Sequence, residues 1–193
     1  MAWTYSNERN NEVEWDGTLV VKKLKGKTVE IANNGRWITP YIFAVNTTSQ
    51  TATAGTVLLF QFEVPTDVIV DGIGLRHSSA SGAAICGIYK PTSFDSDDCF
   101  DGALLVESSS TTLSGTTQVI TFTPTKLESG VYYAAVEYEL AAHSFFRFGN
   151  TTQQGGTTQL YARAGGYGAL TNPCPSTTGS LTAFPNILIR RSA

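Results

Sequence analysis

Between Thr116 and Leu140 the chain alternates with a period of two. Tyr132, Ala134, Val136, Tyr138 and Leu140 fall on one side of that period, and Tyr133, Ala135, Glu137 and Glu139 on the other. Such alternation predicts a half-buried β-strand. The preceding run puts Ile120 and Phe122 on one face and Val119, Thr121 and Thr123 on the other, and Pro124 to Gly130 joins the two runs. Together they predict a β-hairpin in which Leu127 plugs the end of the core and Gly130 lets the chain turn back. The TKLE tetrapeptide inside the connection is too short to nucleate a helix.

The same period recurs upstream and downstream. Leu58, Phe60, Phe62 and Val64 alternate with Leu59, Gln61 and Glu63, and Pro65 with Asp67 turns the chain into VIVDGIGLR, residues 68–76. In that run Asp71–Gly72 and Gly74 mark a bulge or a close approach of neighbouring backbone. AICGIYK at 84–90, ALLVES from Ala103, FFRF from Phe145 and NILIR from Asn186 complete eight strands from Thr56 onward, with no credible helix among them. So many short strands predict an all-β fold, a two-sheet antiparallel β-sandwich of the jelly-roll kind.

Residues 1–40 differ in character. They hold Trp3, Trp15 and Trp37, which are all the tryptophans, and a dense set of charges that includes Lys22, Lys23, Lys25 and Lys27. Leu19–Leu24 and Thr28–Ala32 read as short strands joined at Gly26, and WITPYIFAV from Trp37 is an apolar run interrupted by Pro40. So few elements cannot close a core alone, so the tryptophans need the body of the chain, a sister subunit or another protein to pack against. The favoured expectation is a β-rich docking arm using Trp3, Trp15, Trp37, Lys22 and Lys23; the alternative is that these strands extend the main sheet. The lysines suit either an acidic partner or a solvated edge strand that repels intruding strands. Residues 46–55 are small and polar, and the boundary is expected there: 1–50 an amino-terminal attachment arm, 51–193 the sandwich domain. Two sequons, at Asn46 and Asn150, read as parts of Thr-rich loops.

Composition narrows the function. At 193 residues, 41% hydrophobic and 15% charged, the chain is long enough for one substantial domain plus an appendage. A net charge of -3 offers no clustered positive surface for phosphate, so no nucleic acid is expected as a partner. The first residues lack a basic and then apolar leader pattern, and no apolar window is long enough to span a bilayer, so neither export by a cleaved signal nor a membrane partner is expected. Cys86, Cys99 and Cys174 are an odd number without CxxC spacing, which predicts reduced thiols made in a cytoplasm.

At LFQFEVP, VDGIGLR, CGIYK, a loop ending DGALLVES, and TTQVITFTPTKLESGVYYAAVEYEL, in that order within residues 58–140, the chain resembles a jelly-roll domain of tailed-bacteriophage virion proteins. That family includes tail-fibre, head-fibre and capsid-decoration (cement) subunits. The resemblance implies a non-enzymatic particle protein, usually a homotrimer, with the jelly roll displayed on the virion surface. The amino-terminal part would anchor it to a major capsid protein or another virion protein, after assembly in the host cytoplasm. Residues 1–50 fall outside the resemblance, and the shared motifs are core and turn positions that carry no site residues over.

Other constellations are weighed on their chemistry. In SFDSDDCFDG, residues 93–102, Asp95, Asp97 and Asp101 could converge on one calcium ion, but the loop lacks the distal glutamate and flanking helices of an EF-hand, so a solvated aspartate-rich turn is favoured. No other cofactor is expected. Cys99, among aspartates, makes a poor nucleophile. His77 and His143 are expected in exposed or capping positions. GxSxG, HExxH and P-loop patterns are absent from the sequence, and Glu137 and Glu139 share one strand face where a glycosidase needs its carboxyls opposed, so no enzyme is expected. In the Gly- and Thr-rich stretch from Gly149 to Pro185, Tyr161, Arg163 and Tyr167 are candidate contacts for a host surface glycan, a receptor or a neighbouring subunit, set against plain packing between subunits. The expected function is that of a capsid decoration protein. The alternatives are a tail- or head-fibre adhesin that binds host glycan, and a free-standing lectin-like module.

Overall fold

The computed structural model describes residues 4–5, 12–15, 19–22, 37–38, 49–92, 101–148, 160–164, 166–174, 184–185 and 187–192. The regular elements among them are β-strands: β1 (Thr4–Tyr5), β2 (Glu12–Trp15), β3 (Leu19–Lys22), β4 (Trp37–Ile38), β5 (Ser49–Thr51), β6 (Thr56–Val64), β7 (Val68–Ser79) and β8 (Ala83–Lys90). Then come β9 (Ala103–Glu107), β10 (Thr111–Thr112), β11 (Thr117–Leu127), β12 (Gly130–Tyr138), β13 (Ser144–Phe148), β14 (Leu160–Ala164), β15 (Phe184–Pro185) and β16 (Ile187–Arg191).

Two antiparallel sheets carry the core. A six-stranded sheet runs β10-β8-β12-β6-β14, with β9 also on β8. A seven-stranded sheet runs β15-β13-β7-β16-β4, with β11 on β7 and β5 on β13. Between them lie Phe60, Phe62, Ile88, Tyr132 and Val136 from the first sheet and Val70, Ile73, Ile120, Ile187 and Ile189 from the second. Full burial of each such aliphatic or aromatic side chain stabilises the fold by about 1.5–3 kcal/mol. The all-β antiparallel sandwich expected from the sequence is the fold observed.

All eight strands expected after Thr56 form, but their pairing differs from expectation at the chain's most regular stretch. β11 and β12 are not a hairpin: β11 pairs with β7 in one sheet, and β12 pairs with β6 and β8 in the other. The connection crosses the sandwich, and Leu127, at its mouth, is fully buried between the sheets as expected. β12 is not half-buried either. Tyr132, Ala134, Val136 and Tyr138 face the core between the sheets, while Tyr133, Ala135 and Glu137 on the other face are also buried. Leu140 lies beyond the strand end and is exposed. β14 forms inside the Gly- and Thr-rich stretch by adding to the free edge of β6.

The glycines of β7 behave as the sequence suggests. A Cβ on Gly72 would lie 2.9 Å from the Ile120 carbonyl oxygen, and both neighbours of β7 shift register between Gly72 and Val70. A Cβ on Gly74 would lie 3.0 Å from a Trp37 ring carbon, so the missing side chain makes room for that indole.

β1, β2 and β3 form a separate antiparallel sheet and pair only with one another among the described residues. The expected strand Thr28–Ala32 lies outside the described residues. Residues before 51 also contribute to the sandwich. β4 pairs with β16, and Ile38 is buried in the core; β5 pairs with β13.

Candidate functional site

The outward face of the six-stranded sheet carries a second, smaller core and most of the polar groups of interest. Cross-strand partners in an antiparallel sheet share a face, so its rows follow from the register. One row aligns Arg163, Val57, Glu137 and Ile85; the next aligns Tyr161, Leu59, Ala135, Gly87 and Glu107; a third aligns Gln61, Tyr133, Tyr89 and Leu104. Val57, Leu59, Ile85, Tyr89, Tyr133 and Ala135 are buried there beneath Leu170 and Cys174.

Residues 166–174, GYGALTNPC, form the cover. Gly87 decides where it sits, because a Cβ at that position would fall 2.6 Å from Leu170 Cδ1 and 2.8 Å from the Val106 carbonyl oxygen. The cover is not a strand, so its backbone groups must find partners outside a ladder. The Leu170 N–H donates to the Glu107 carboxylate at 2.9 Å, and the Gly168 N–H to Glu137 at a longer 3.4 Å. The Tyr89 hydroxyl donates to the Thr171 carbonyl at 2.7 Å, and the Leu104 N–H donates to the Asn172 side-chain oxygen at 3.1 Å. The Cys174 and Asp101 N–H groups donate to the Gly102 and Cys174 carbonyls respectively. Glu107 and Glu137 thus serve as acceptors for the cover's main chain. This role is invisible in the sequence, where both read as water-facing strand residues.

Tyr167 is half-buried in this cover and its hydroxyl shares a hydrogen bond with Ser110, while burial raises its pKa. Tyr161 and Arg163 occupy β14 register positions on the same face, so the structure brings the three loop candidates to one side of one sheet. Trp15 and Lys22 lie on β2 and β3, Trp37 on β4 is half-buried, and Trp3 and Lys23 lie outside the described residues. Of the calcium candidates, Asp95 and Asp97 lie outside the described residues. Asp101 is exposed with φ 57°, a left-handed turn conformation that aspartate tolerates. Among the described residues, no three His, Cys, Asp or Glu side chains converge as metal ligands.

The sequence misplaces the histidines. His77 and His143 are neither exposed nor capping: both are fully buried, with His77 Nδ1 and His143 Nε2 3.2 Å apart. Tyr138 stacks on His143 with ring centroids 4.3 Å apart. Burial lowers the pKa of both rings, and for His143, with His77 as a second cause, it is pushed down to about 4. Nothing in the local sequence marks either residue as internal, because neither lies in an unbroken apolar run. Cys86, on the core side of β8, is buried, and its thiol is pushed far above its ordinary pKa. The described cysteines, Cys86 and Cys174, are both buried.

No family model matches the chain, and no curated protein matches it.

Proposed function

We propose that this chain is a non-enzymatic structural subunit displayed on the surface of a tailed-phage virion, most specifically a capsid decoration protein that binds and stabilises the capsid. The observation that carries this reading is a division of labour in the backbone pairing. The sandwich fills its own core, whereas β1–β3 form a small sheet that pairs with no other described strand. A three-stranded sheet in the tryptophan- and lysine-rich part of the chain needs an apolar face to hold together, and such a face suits a surface completed by a partner. The repeated crossing of consecutive strands between sheets, from β6 to β7 to β8 and from β11 to β12 to β13, supports a jelly-roll description of the body and with it the phage resemblance. In this reading the chain assembles as a homotrimer, the arm meets the major capsid protein, and Trp3, Trp15, Lys22 and Lys23 are its contacts.

Deletion of residues 1–30 keeps β4 and β5 in place and tests the reading. The shortened chain is expected to melt cooperatively and to fail to co-sediment with particles stripped of the native protein. Full retention of binding would move attachment to the sandwich. A second reading, an adhesin for host surface glycan, is favoured by the shared face of Tyr161, Arg163 and Tyr167. Saturable glycan binding by the shortened chain would select it.

A further inference from the structure

The His77–His143 pair sits beside Ser49–Gly55, the segment that leads into β6. The Ala52 N–H donates to the His143 carbonyl at 2.8 Å, and the Gly55 N–H to the Tyr138 carbonyl at 2.9 Å. Immediately before them β5 pairs with residues 144–146 of β13, and Phe145 of β13 is in turn opposite His77 of β7. The segment Ser49–Gly55 is therefore held by the main chain of the strand ends that carry Tyr138, His143 and Phe145.

The pair is internally incomplete. One imidazole must donate to the other, which leaves one outward nitrogen with a proton and the other with a lone pair, whichever tautomers are present. Those two outward nitrogens, His77 Nε2 and His143 Nδ1, find no hydrogen-bond partner among the described residues, and neither does the Tyr138 hydroxyl. Among the described residues the surroundings offer no counter-charge. β12 presents Tyr138, with the Cys86 thiol of β8 near it, and β13 and the entering segment present Phe145 and Ala52. The nearest cation on β7, Arg76, turns to the other face and lies over the Phe146 ring. Among the described residues no carboxylate forms an ion pair with either histidine. A proton arriving at the free lone pair creates a buried cation without a counter-charge among the described residues, so the closed state holds it less readily than a state with the rings in water.

We propose that His77 and His143 form a proton-operated clasp, in which mild acid charges the pair and releases Ser49–Gly55 from β12 and β13. The sign follows from linkage. Each ring holds its proton less readily in the closed fold than in water, so the closed state is fully favoured above the ordinary histidine pKa. It loses that advantage as pH falls toward the folded value of about 4. The open population rises by roughly a hundredfold across that window. The clasp stands whether or not the particle reading does.

Amide hydrogen exchange on the full chain, corrected for the intrinsic effect of pH, tests it. Between about pH 7 and about pH 4.5, protection at Ala52 and Gly55 is expected to fall at least about tenfold while Ala134 and Ile189 stay protected. Replacing both rings, H77F with H143F, is expected to remove that pH dependence. If the double variant does not fold, imidazole nitrogen resonances of the wild type decide, since both rings should titrate well below the ordinary histidine midpoint. Unchanged protection at Ala52 and Gly55, loss of protection everywhere at once, or ordinary titration of both rings would overturn the proposal. So would a rise in melting temperature on adding zinc at neutral pH, because the pair would then hold an ion.

Discussion

The two faces of β12 are both buried, by different means. On its inner face Tyr132, Ala134, Val136 and Tyr138 meet another sheet, whose own ladder satisfies its backbone. Apolar side chains suffice there. On its outer face Tyr133, Ala135 and Glu137 meet residues 166–174, a cover without a ladder. That cover needs Glu107, Glu137 and Tyr89 to take or give the hydrogen bonds that a neighbouring strand would otherwise supply, and its own Asn172 accepts from the Leu104 N–H in return. Polar residues in a buried face thus record what covers it. A sheet tolerates an apolar neighbour, whereas an irregular segment demands acceptors and donors from the surface it lies on.

The comparison is broken most severely at Tyr138. Tyr138→Asp puts a carboxylate into the inner face beside two uncharged imidazoles, a burial that costs several kcal/mol, comparable to the whole stability of a domain. Circular dichroism is expected to show loss of the folded transition; a cooperative melt near that of the wild type would refute the inner-face assignment. A change at Gly87 should act on the outer face alone. Gly87→Ala drives a methyl group into Leu170 and the Val106 carbonyl, and is expected to cost about 1–3 kcal/mol as the cover lifts. Thiol labelling reads the difference between faces, since Cys174 should become reactive while Cys86 stays protected. Equal labelling of both cysteines would mean that the two cores open together. The smallest effect is expected at Glu139, which is exposed just past the strand. Glu139→Lys should change stability by no more than about 0.5 kcal/mol in a thermal melt.

Two-residue periodicity and turn residues determined the strands, the absence of helix among the described elements and the role of Leu127 as a core plug, because each depends on a few consecutive residues. The close approaches at Gly72 and Gly74 were legible for the same reason. Partner choice was not. The alternation in 116–140 is the same whether β11 and β12 pair with each other or cross to different sheets, since period fixes which side chains share a face and says nothing about what lies opposite. Burial of the second face of β12 depends on Leu170 and Cys174, far along the chain, and on the vacancy at Gly87 that admits them. The histidine pair is the extreme case. His77 and His143 are separated by 66 positions, and only the pairing of β13 with β7 brings two ordinary polar residues together as one buried pair.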